Sequence, residues 1–448
     1  MGDPTSQFME TAPSQVTGPA GRAELGATVA TKAAASPSGT VPKQPVSIKR
    51  TMALVLIAAL GMYIMSLTLG TALSLRLAAV DPASKETSYG MAVSISSLLL
   101  LVTIPLTGAL SDRTAGRFGR RRPWIIGGLV PALLAAAVIG TVPSTPVIVA
   151  AYVVALVSAQ AAFNAYAVIP IEALPDNKRA RVMGAMGMAG ALAMSAGSYL
   201  AAWLVDAPLL MMCVPVLLAL VCSIPLLVLY KDPAKTRAEL PPLDLKGLAK
   251  SFLVDPRKHP NFAWAWVSRF LAGIAMTALF AYFIFFLMDG LGMPIAEAGK
   301  SAGLLTLISA PVSILFFTAS GWLSDKMGRR KPFVIGAALL MATALVIGAT
   351  ATSFEQFVVA WIIFAMGQAM YLTVDLALCA AVLPDARDTG KDMAVFSLAL
   401  SIPNIIVPAA APAILAIGSG HNYGFLWFAA AALCAMGSIT VTFIKGVR

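Results

Sequence analysis

The sequence predicts an all-α membrane protein: twelve membrane-spanning helices in two six-helix pseudo-repeats, preceded by a disordered N-terminal tail. Three observations predict it. Hydrophobic residues make up 58% of the 448 and charged residues only 12%, with a mean hydropathy of +0.83. A soluble domain is about a quarter charged, so this chain is too apolar for water. Most of it falls into runs of the roughly 20 apolar residues that a helix needs to cross a bilayer. A dense basic loop, Gly108-Ala-Leu-Ser-Asp-Arg-Thr-Ala-Gly-Arg-Phe-Gly-Arg-Arg-Arg-Pro123, lies between two such runs, and a shorter copy, Gly321-Trp-Leu-Ser-Asp-Lys-Met-Gly-Arg-Arg-Lys-Pro332, lies between two others.

Taken in order, residues 1–46 are rich in Ala, Ser, Thr, Gly and Pro. Such a stretch buries no core and is expected to be a disordered cytoplasmic tail. It lacks the basic and apolar regions of a secretory signal. The N-terminal half, 47–230, holds spans at about 51–75, 88–110, 122–142, 145–170, 181–205 and 208–230. A polar linker follows at 231–260, whose stretch 245–252 reads as a short amphipathic helix on the membrane surface. The C-terminal half, 261–448, holds spans at about 261–288, 297–322, 331–350, 354–383, 392–417 and 422–444.

Lys and Arg gather in the loops after spans 2, 4, 6, 8 and 10, whereas the opposite loops hold only Arg76, Lys85 and Lys300. Basic loops stay on the cytoplasmic side. A multi-pass protein of the plasma (inner) membrane with both termini in the cytoplasm is therefore expected. The same distribution excludes nucleic acid as the reason for the +11 net charge, because no single basic face or tail exists. Cys213, Cys222, Cys379 and Cys434 lie inside apolar runs without ligand spacing, and read as small buried hydrophobes rather than disulfides or metal ligands.

The halves repeat in register. Leu174-Pro-Asp176 matches Leu383-Pro-Asp385, and Gly119-Arg-Arg-Arg-Pro123 matches Gly328-Arg-Arg-Lys-Pro332, both at an offset of 209 residues. Asp112 and Asp325 correspond at 213, because the first loop is four residues longer. Such matches predict two halves related by an axis along the membrane normal.

Gly108-x-Leu-Ser-Asp-Arg with the following Gly-Arg-Arg-Arg resembles the signature loop between helices 2 and 3 of the major facilitator superfamily. The second copy between spans 8 and 9 and the six-plus-six arrangement agree. The resemblance covers about residues 48–448. Within the superfamily, Ser111-Asp-Arg-x-x-x-Arg117-Phe-Gly-Arg-Arg-Arg-Pro-Trp124 is similar to the plant sucrose–proton symporters and their animal relatives. Trp264-Ala-Trp-x-x-Arg-Phe-Leu271 and Val374-Asp-x-Ala-Leu378 are similar to a group of actinobacterial transporters. The resemblance implies a central cavity lined by helices 1, 4, 7 and 10, alternating access, and a monomer.

The loop also reads physically. Its arginines can bond helix-end carbonyls, Asp112 and lipid phosphates. Asp112, Arg113, Arg117, Arg120 and Arg121, with Asp325, Arg329 and Arg330 in the second copy, are expected to gate the cytoplasmic side. The bland alternative is an anchor that only holds the loop inside.

A charge at the bilayer centre costs about 2.5–3.5 kcal/mol on insertion scales and therefore marks function by default. Arg269 lies eight residues into span 7 and Asp375 eight residues before the end of span 10, which puts both about 12 Å deep. On cavity helices at one depth, they are expected to interact. Burial disfavours the charge of Asp375 and Arg269 favours it, so a conformational change could load and unload a proton; a static ion pair is the alternative. Glu172, between Pro170 and Pro175, is a weaker coupling candidate near the cytoplasmic end of span 4. Arg76 is expected to snorkel, and Asp206 and Asp289 to be solvated.

Candidate substrate contacts are Gln160, Asn164 and Tyr166 on span 4, Gln368 and Tyr371 on span 10, Tyr282 on span 7 and Asn404 on span 11. Amides donate and accept at once, which suits a hydroxyl-rich solute. Phe280, Phe285 and Phe286 of span 7 could stack on a sugar ring, although such residues also serve helix packing.

These features predict a secondary active transporter: proton-coupled symport of a small polar solute, a sugar or glycoside, across the lipid bilayer. A proton-driven exporter of lipophilic compounds or of sugars is the alternative. No phosphate-cradling Gly-rich Lys-Ser/Thr loop makes ATP the energy source. No catalytic set, metal spacing or cofactor motif supports an enzyme, and a receptor would not explain charges at matched depth.

Overall fold

The computed structural model describes residues 47–114, 118–230, 259–382, 389–418 and 421–445. The tail at 1–46, Arg117, the linker over 231–258 with its 245–252 stretch, Arg387 and Leu383-Pro-Asp385 lie outside the described residues.

Helix α1 covers Ile48–Val80, α2 Lys85–Asp112, α3 Arg122–Thr141, α4 Thr145–Ala173, α5 Asp176–Trp203 and α6 Pro208–Leu229. In the second half α7 covers Pro260–Asp289, α8 Ile295–Met327, α9 Lys331–Ala349 and α10 Phe354–Val382. Span 11 is split into α11, Thr389–Ser401, and α12, Pro403–Leu415; α13 covers Tyr423–Thr442. Among the described residues, twelve segments are long and apolar enough to cross a membrane, and there is no strand.

Local chemistry explains the ends. Ser47 caps α1 by accepting from the Arg50 amide at 3.4 Å. Both basic loops hand over to a helix with proline in its first turn, Pro123 and Pro332, where the missing amide is no loss. Helix α8 ends at Gly328 in the left-handed conformation, φ 61°, which glycine adopts without a Cβ penalty. The break in span 11 falls before Pro403, which has no amide to donate to the preceding turn. The Asn404 side chain bonds the Leu400 carbonyl there at 2.9 Å.

Packing repeats between the halves. Helices α1–α6, α3–α4, α3–α6 and α2–α4 pack together, and so do their counterparts α7–α13, α9–α10, α9–α13 and α8–α10. One contact shows how small residues set this. Gly128 of α3 lies against the Ser158 carbonyl of α4, where a Cβ would approach to 2.5 Å. In the second half the equivalent contact carries its glycine on the partner: Gly367 of α10 lies against the Ala337 carbonyl of α9, with a Cβ distance of 2.9 Å. Without a hydrophobic effect between helices in lipid, such close approach supplies the dispersion contacts that hold them.

Many large apolar side chains point outward, including Val102, Leu134 and Val228, each about two-thirds exposed. In lipid that is the favourable arrangement. The four cysteines are unpaired and three are buried. The halves meet along α5–α8 and α2–α12, and α1, α7 and α10 are the spans buried over the largest share of their length.

Candidate functional site

The site lies between the halves, and its two ends differ. At the end opposite the basic loops, here the far face, contacts cross from one half to the other. Lys85, in the first turn of α2, binds Asp289 at the end of α7 at 2.5 Å. Tyr423, opening α13, lies 2.8 Å from Glu86 Oε1 and 2.7 Å from Asp289 Oδ2, so its single proton serves either carboxylate. His421 Nδ1 lies 3.0 Å from Glu86 Oε1. One layer deeper, Tyr89 meets Tyr282 and Phe285 edge-on. The Ser94 hydroxyl donates to the Ile405 carbonyl at 2.8 Å, and Thr306 of α8 meets Ser195 of α5 at 3.1 Å. The far end is closed by this stack.

This cluster corrects the expectation that Asp289 is solvated: its side chain is 18% exposed, pairs with Lys85 across the halves and accepts from Tyr423 within its own half. Arg76 is corrected as well. It does not snorkel but donates to the Ile139 carbonyl at 3.1 Å and to that of Val142, capping the end of α3. Nearby, the Ser84 hydroxyl at 2.6 Å holds the Asp81 carboxyl below its usual range.

At the basic face the described contacts bind each half to itself. Arg121 is fully buried and donates to Ser111 Oγ at 2.6 Å, to Asp112 and to Glu172 at 2.8 Å. Arg120 donates to the same Glu172 oxygen at 2.7 Å. The structure thus joins Glu172 to the loop arginines, not to Asp375. Arg113 caps α2. In the second half Arg330, the counterpart of Arg121, donates to the Ala377 carbonyl at 2.7 Å. Position 381, 209 beyond Glu172, is alanine, so the carboxylate of the first copy has no equivalent. Asp325 and Arg329 are exposed on this face.

Between the ends, two clefts open where the halves part. One, about 670 Å³, is lined by Ser66, Ser97, Gln160, Ser397, Ser401 and Asn404 together with leucines and Pro105. The other, about 570 Å³, runs between α5 and α8 and is walled by Phe280, Trp361 and Phe364 opposite Gly184 and Gly187; Gln368 lies at its edge. Gln160, Gln368 and Asn404 therefore line clefts. Asn164 is reached by Gln160 at 3.5 Å. Tyr166, Tyr282 and Tyr371 are fully buried with their hydroxyls engaged by the Val55 carbonyl, the Pro408 carbonyl and Ser268. Phe285 and Phe286 are also packed away.

Arg269 of α7 and Asp375 of α10 form an ion pair. The Asp375 side chain is 1% exposed and that of Arg269 12%. The guanidinium lies 4.3 Å over the Phe396 ring of α11. Its Nε is buried without a partner. The pair sits within the α7–α10–α11 packing and lines neither cleft.

Sequence reasoning missed Lys85, Glu86, His421 and Tyr423. Lys85, Glu86 and Asp289 stand in the first or last turns of their spans, but which side chains meet there depends on how the two halves pack and is not readable from those positions.

Comparison with known proteins agrees with this architecture. Residues 52–318 and 300–446 match the family model described as Major Facilitator Superfamily. The chain is similar in fold to a variant of the nucleoside transporter NupG, with a TM-score of 0.70 at 11% identity, covering 88% of this chain and 100% of that one. It is also similar to a bacterial homologue of the human lysosomal transporter Spinster in an inward-facing, unoccupied conformation, with a TM-score of 0.60 at 16% identity, covering 88% and 95%. A segment of 42 residues is 43% identical to an uncharacterised symporter of Synechocystis sp.; it spans 9% of this chain and 8% of that protein. With twelve spans in two repeated halves, a duplicated basic loop and a family match along nearly all its described length, the chain belongs to the Major Facilitator Superfamily and is a transporter, not an enzyme.

Proposed function

We propose that the chain is a proton-coupled symporter for a small polar solute, a sugar or glycoside, working by alternating access in the plasma (inner) membrane. The positive-inside rule assigns the basic face and both termini to the cytoplasm. The conformation described above is then open to the inside and closed outside.

The observation that carries this reading is the sealed Arg269–Asp375 pair on two inner helices. As an ion pair it is neutral overall and tolerable in a low-dielectric interior. Protonating Asp375 breaks the pair and leaves Arg269 a lone buried cation, which is strongly unfavourable. The α7–α10–α11 packing must then rearrange or find Arg269 a new acceptor. A proton on Asp375 therefore acts on the helices that frame the clefts, and helix movement acts back on the proton. Gln160, Asn404 and Gln368 supply amides suited to solute hydroxyls. The loop cluster around Arg121 keeps the basic ends of α2, α3 and α4 together as one rocking body.

A second reading, export of lipophilic compounds, draws on the aromatic wall of the α5–α8 cleft. Uptake of labelled sugars into proteoliposomes under an imposed pH gradient, with a lipophilic compound in parallel, separates the two. Gradient-driven, sugar-specific accumulation supports symport. Gradient-driven movement of the lipophile alone overturns it.

A further inference from the structure

Three side chains distant in sequence meet at the far face with the donor set of a metal site. Glu86 comes from the first turn of α2, Asp289 from the end of α7, and His421 from the turn that leads into α13. One ligand atom of each lies within 4.8 Å of the other two. His421 Nδ1 is 3.0 Å from Glu86 Oε1 and 3.6 Å from Asp289 Oδ2. Ligand atoms around one tetrahedral zinc ion stand roughly 3.3–3.4 Å apart, given bonds of about 2.0–2.1 Å. Two carboxylates and an imidazole suit a borderline divalent ion of this kind. Ca2+ and Mg2+ take oxygen ligands and are poorly served by the imidazole nitrogen.

Carboxylates in proximity would not by themselves make a site. The proton count is a separate observation. The Tyr423 hydroxyl lies 2.8 Å from Glu86 Oε1 and 2.7 Å from Asp289 Oδ2, and His421 Nδ1 lies 3.0 Å from the same Glu86 oxygen. Tyr423 brings one proton and His421 Nδ1 at most one. Of these three contacts, one is therefore a close approach of two electron-rich atoms with no proton between them. The Lys85 ammonium is engaged on the other Asp289 oxygen, Oδ1. It also balances only one of the two carboxylates. A cation held by Glu86 Oε1, Asp289 Oδ2 and His421 Nδ1 removes both deficits.

The site is placed to be filled from the far side. The Glu86 side chain is 9% exposed, whereas that of His421 is 52% exposed, which gives an ion its entry and leaves room for a water as fourth ligand. The chain turns at His421 in the left-handed region, φ 54°, which is uncommon for a residue with a Cβ. The Tyr423 amide closes that turn by donating to the His421 carbonyl at 2.8 Å. The imidazole and the tyrosine are thus presented to the carboxylates by one short turn.

The ligands are divided between the halves: Glu86 belongs to the first, Asp289 and His421 to the second. Such a set is assembled only while the halves meet at the far face. An ion that prefers the assembled set favours the closed state by that difference in affinity. We propose that Glu86, Asp289 and His421 bind a divalent transition-metal ion of the zinc type from the far side, and that the bound ion clamps the transporter closed there.

Two measurements with Zn2+ test this. Calorimetry on the purified full-length protein should show about one chelator-reversible Zn2+ per chain and no comparable binding of Ca2+. His421→Ala and Glu86→Gln should each weaken Zn2+ at least about tenfold, since even the loss of an outer-shell partner costs about 10–100-fold. His421 is half-exposed and glutamine keeps the shape of Glu86, so unfolding midpoints without metal should show both variants folded. In vesicles, Zn2+ on the far side should slow labelling of Ser94→Cys by an impermeant thiol reagent about tenfold, a typical coupling between sites. Adding His421→Ala should abolish the slowing, which also excludes capture of Zn2+ by the new cysteine. No Zn2+ binding overturns the proposal and leaves a shared proton to fill the gap. Binding that both variants retain shows an adventitious ion only. Binding without slower labelling removes the clamp. Neither readout needs substrate or a pH gradient, so the outcome is independent of the symport reading.

Discussion

Arg269 and Asp375 neutralise each other inside a helix bundle, and neither has another charged partner among the described ion pairs. Removing one partner of a buried pair leaves an uncompensated charge and costs about 3–5 kcal/mol, whereas replacing both with apolar groups can be nearly neutral. Arg269→Leu alone should therefore lower the thermal unfolding midpoint strongly, and Arg269→Leu with Asp375→Leu should recover most of the loss. A double variant as unstable as the single would show that the pair does not act as a unit. The depth of both residues was legible from the sequence, because a helix rise converts position into depth. Which way a side chain faces was not. In a soluble helix the polar face reports the outside; here lipid-facing and core-facing positions are both apolar. Tyr166, Tyr282 and Tyr371 accordingly read as cavity residues although their hydroxyls bond within the packing. Gln160 and Gln368, which line clefts, looked no different from them in the sequence.

At the scale of the element, helix approach and helix-end chemistry decide how the halves hold and part. Gly128 and Gly367 occupy one repeated contact from opposite sides, each against a neighbouring carbonyl. Gly128→Val and Gly367→Val should each destabilise by about 1–3 kcal/mol, the usual cost of overpacking. Gly108→Ala, in open space on α2, should be neutral or slightly stabilising. Unfolding midpoints in detergent check the contrast. The far-face cluster makes a different prediction. Hydrogen bonds to charged groups contribute about 1.5–3 kcal/mol each, so Lys85→Gln with Tyr423→Phe should favour the conformation open at that face by tenfold or more. An impermeant thiol reagent added from the far side should then label Ser94→Cys faster than in the parent protein. Unchanged labelling would mean that the aromatic layer around Tyr89 holds the closure alone. The basic loops were legible from their composition and repeat offset. The far-face cluster was not, because it depends on how α2, α7 and α13 are set against one another across the two halves, which no local pattern carries.

For the whole molecule, span count and duplication followed from two simple rulers: the length of an apolar run and the spacing of a repeated loop. The conformation had no sequence signature. Contacts across the halves at the far end, with each half bound to itself at the basic end, define one of two states that a transporter must visit. In the proton symport proposed above, coupling lies in a group whose charge changes between those states, and the proposed group is Asp375. The most direct test reconstitutes Asp375→Asn into proteoliposomes and compares accumulation under a pH gradient with exchange of labelled against unlabelled substrate at equal pH. Accumulation is expected to be lost while exchange persists, since asparagine holds the uncharged form permanently. If Asp375→Asn still concentrates substrate against its gradient, the carboxylate does not carry the coupling.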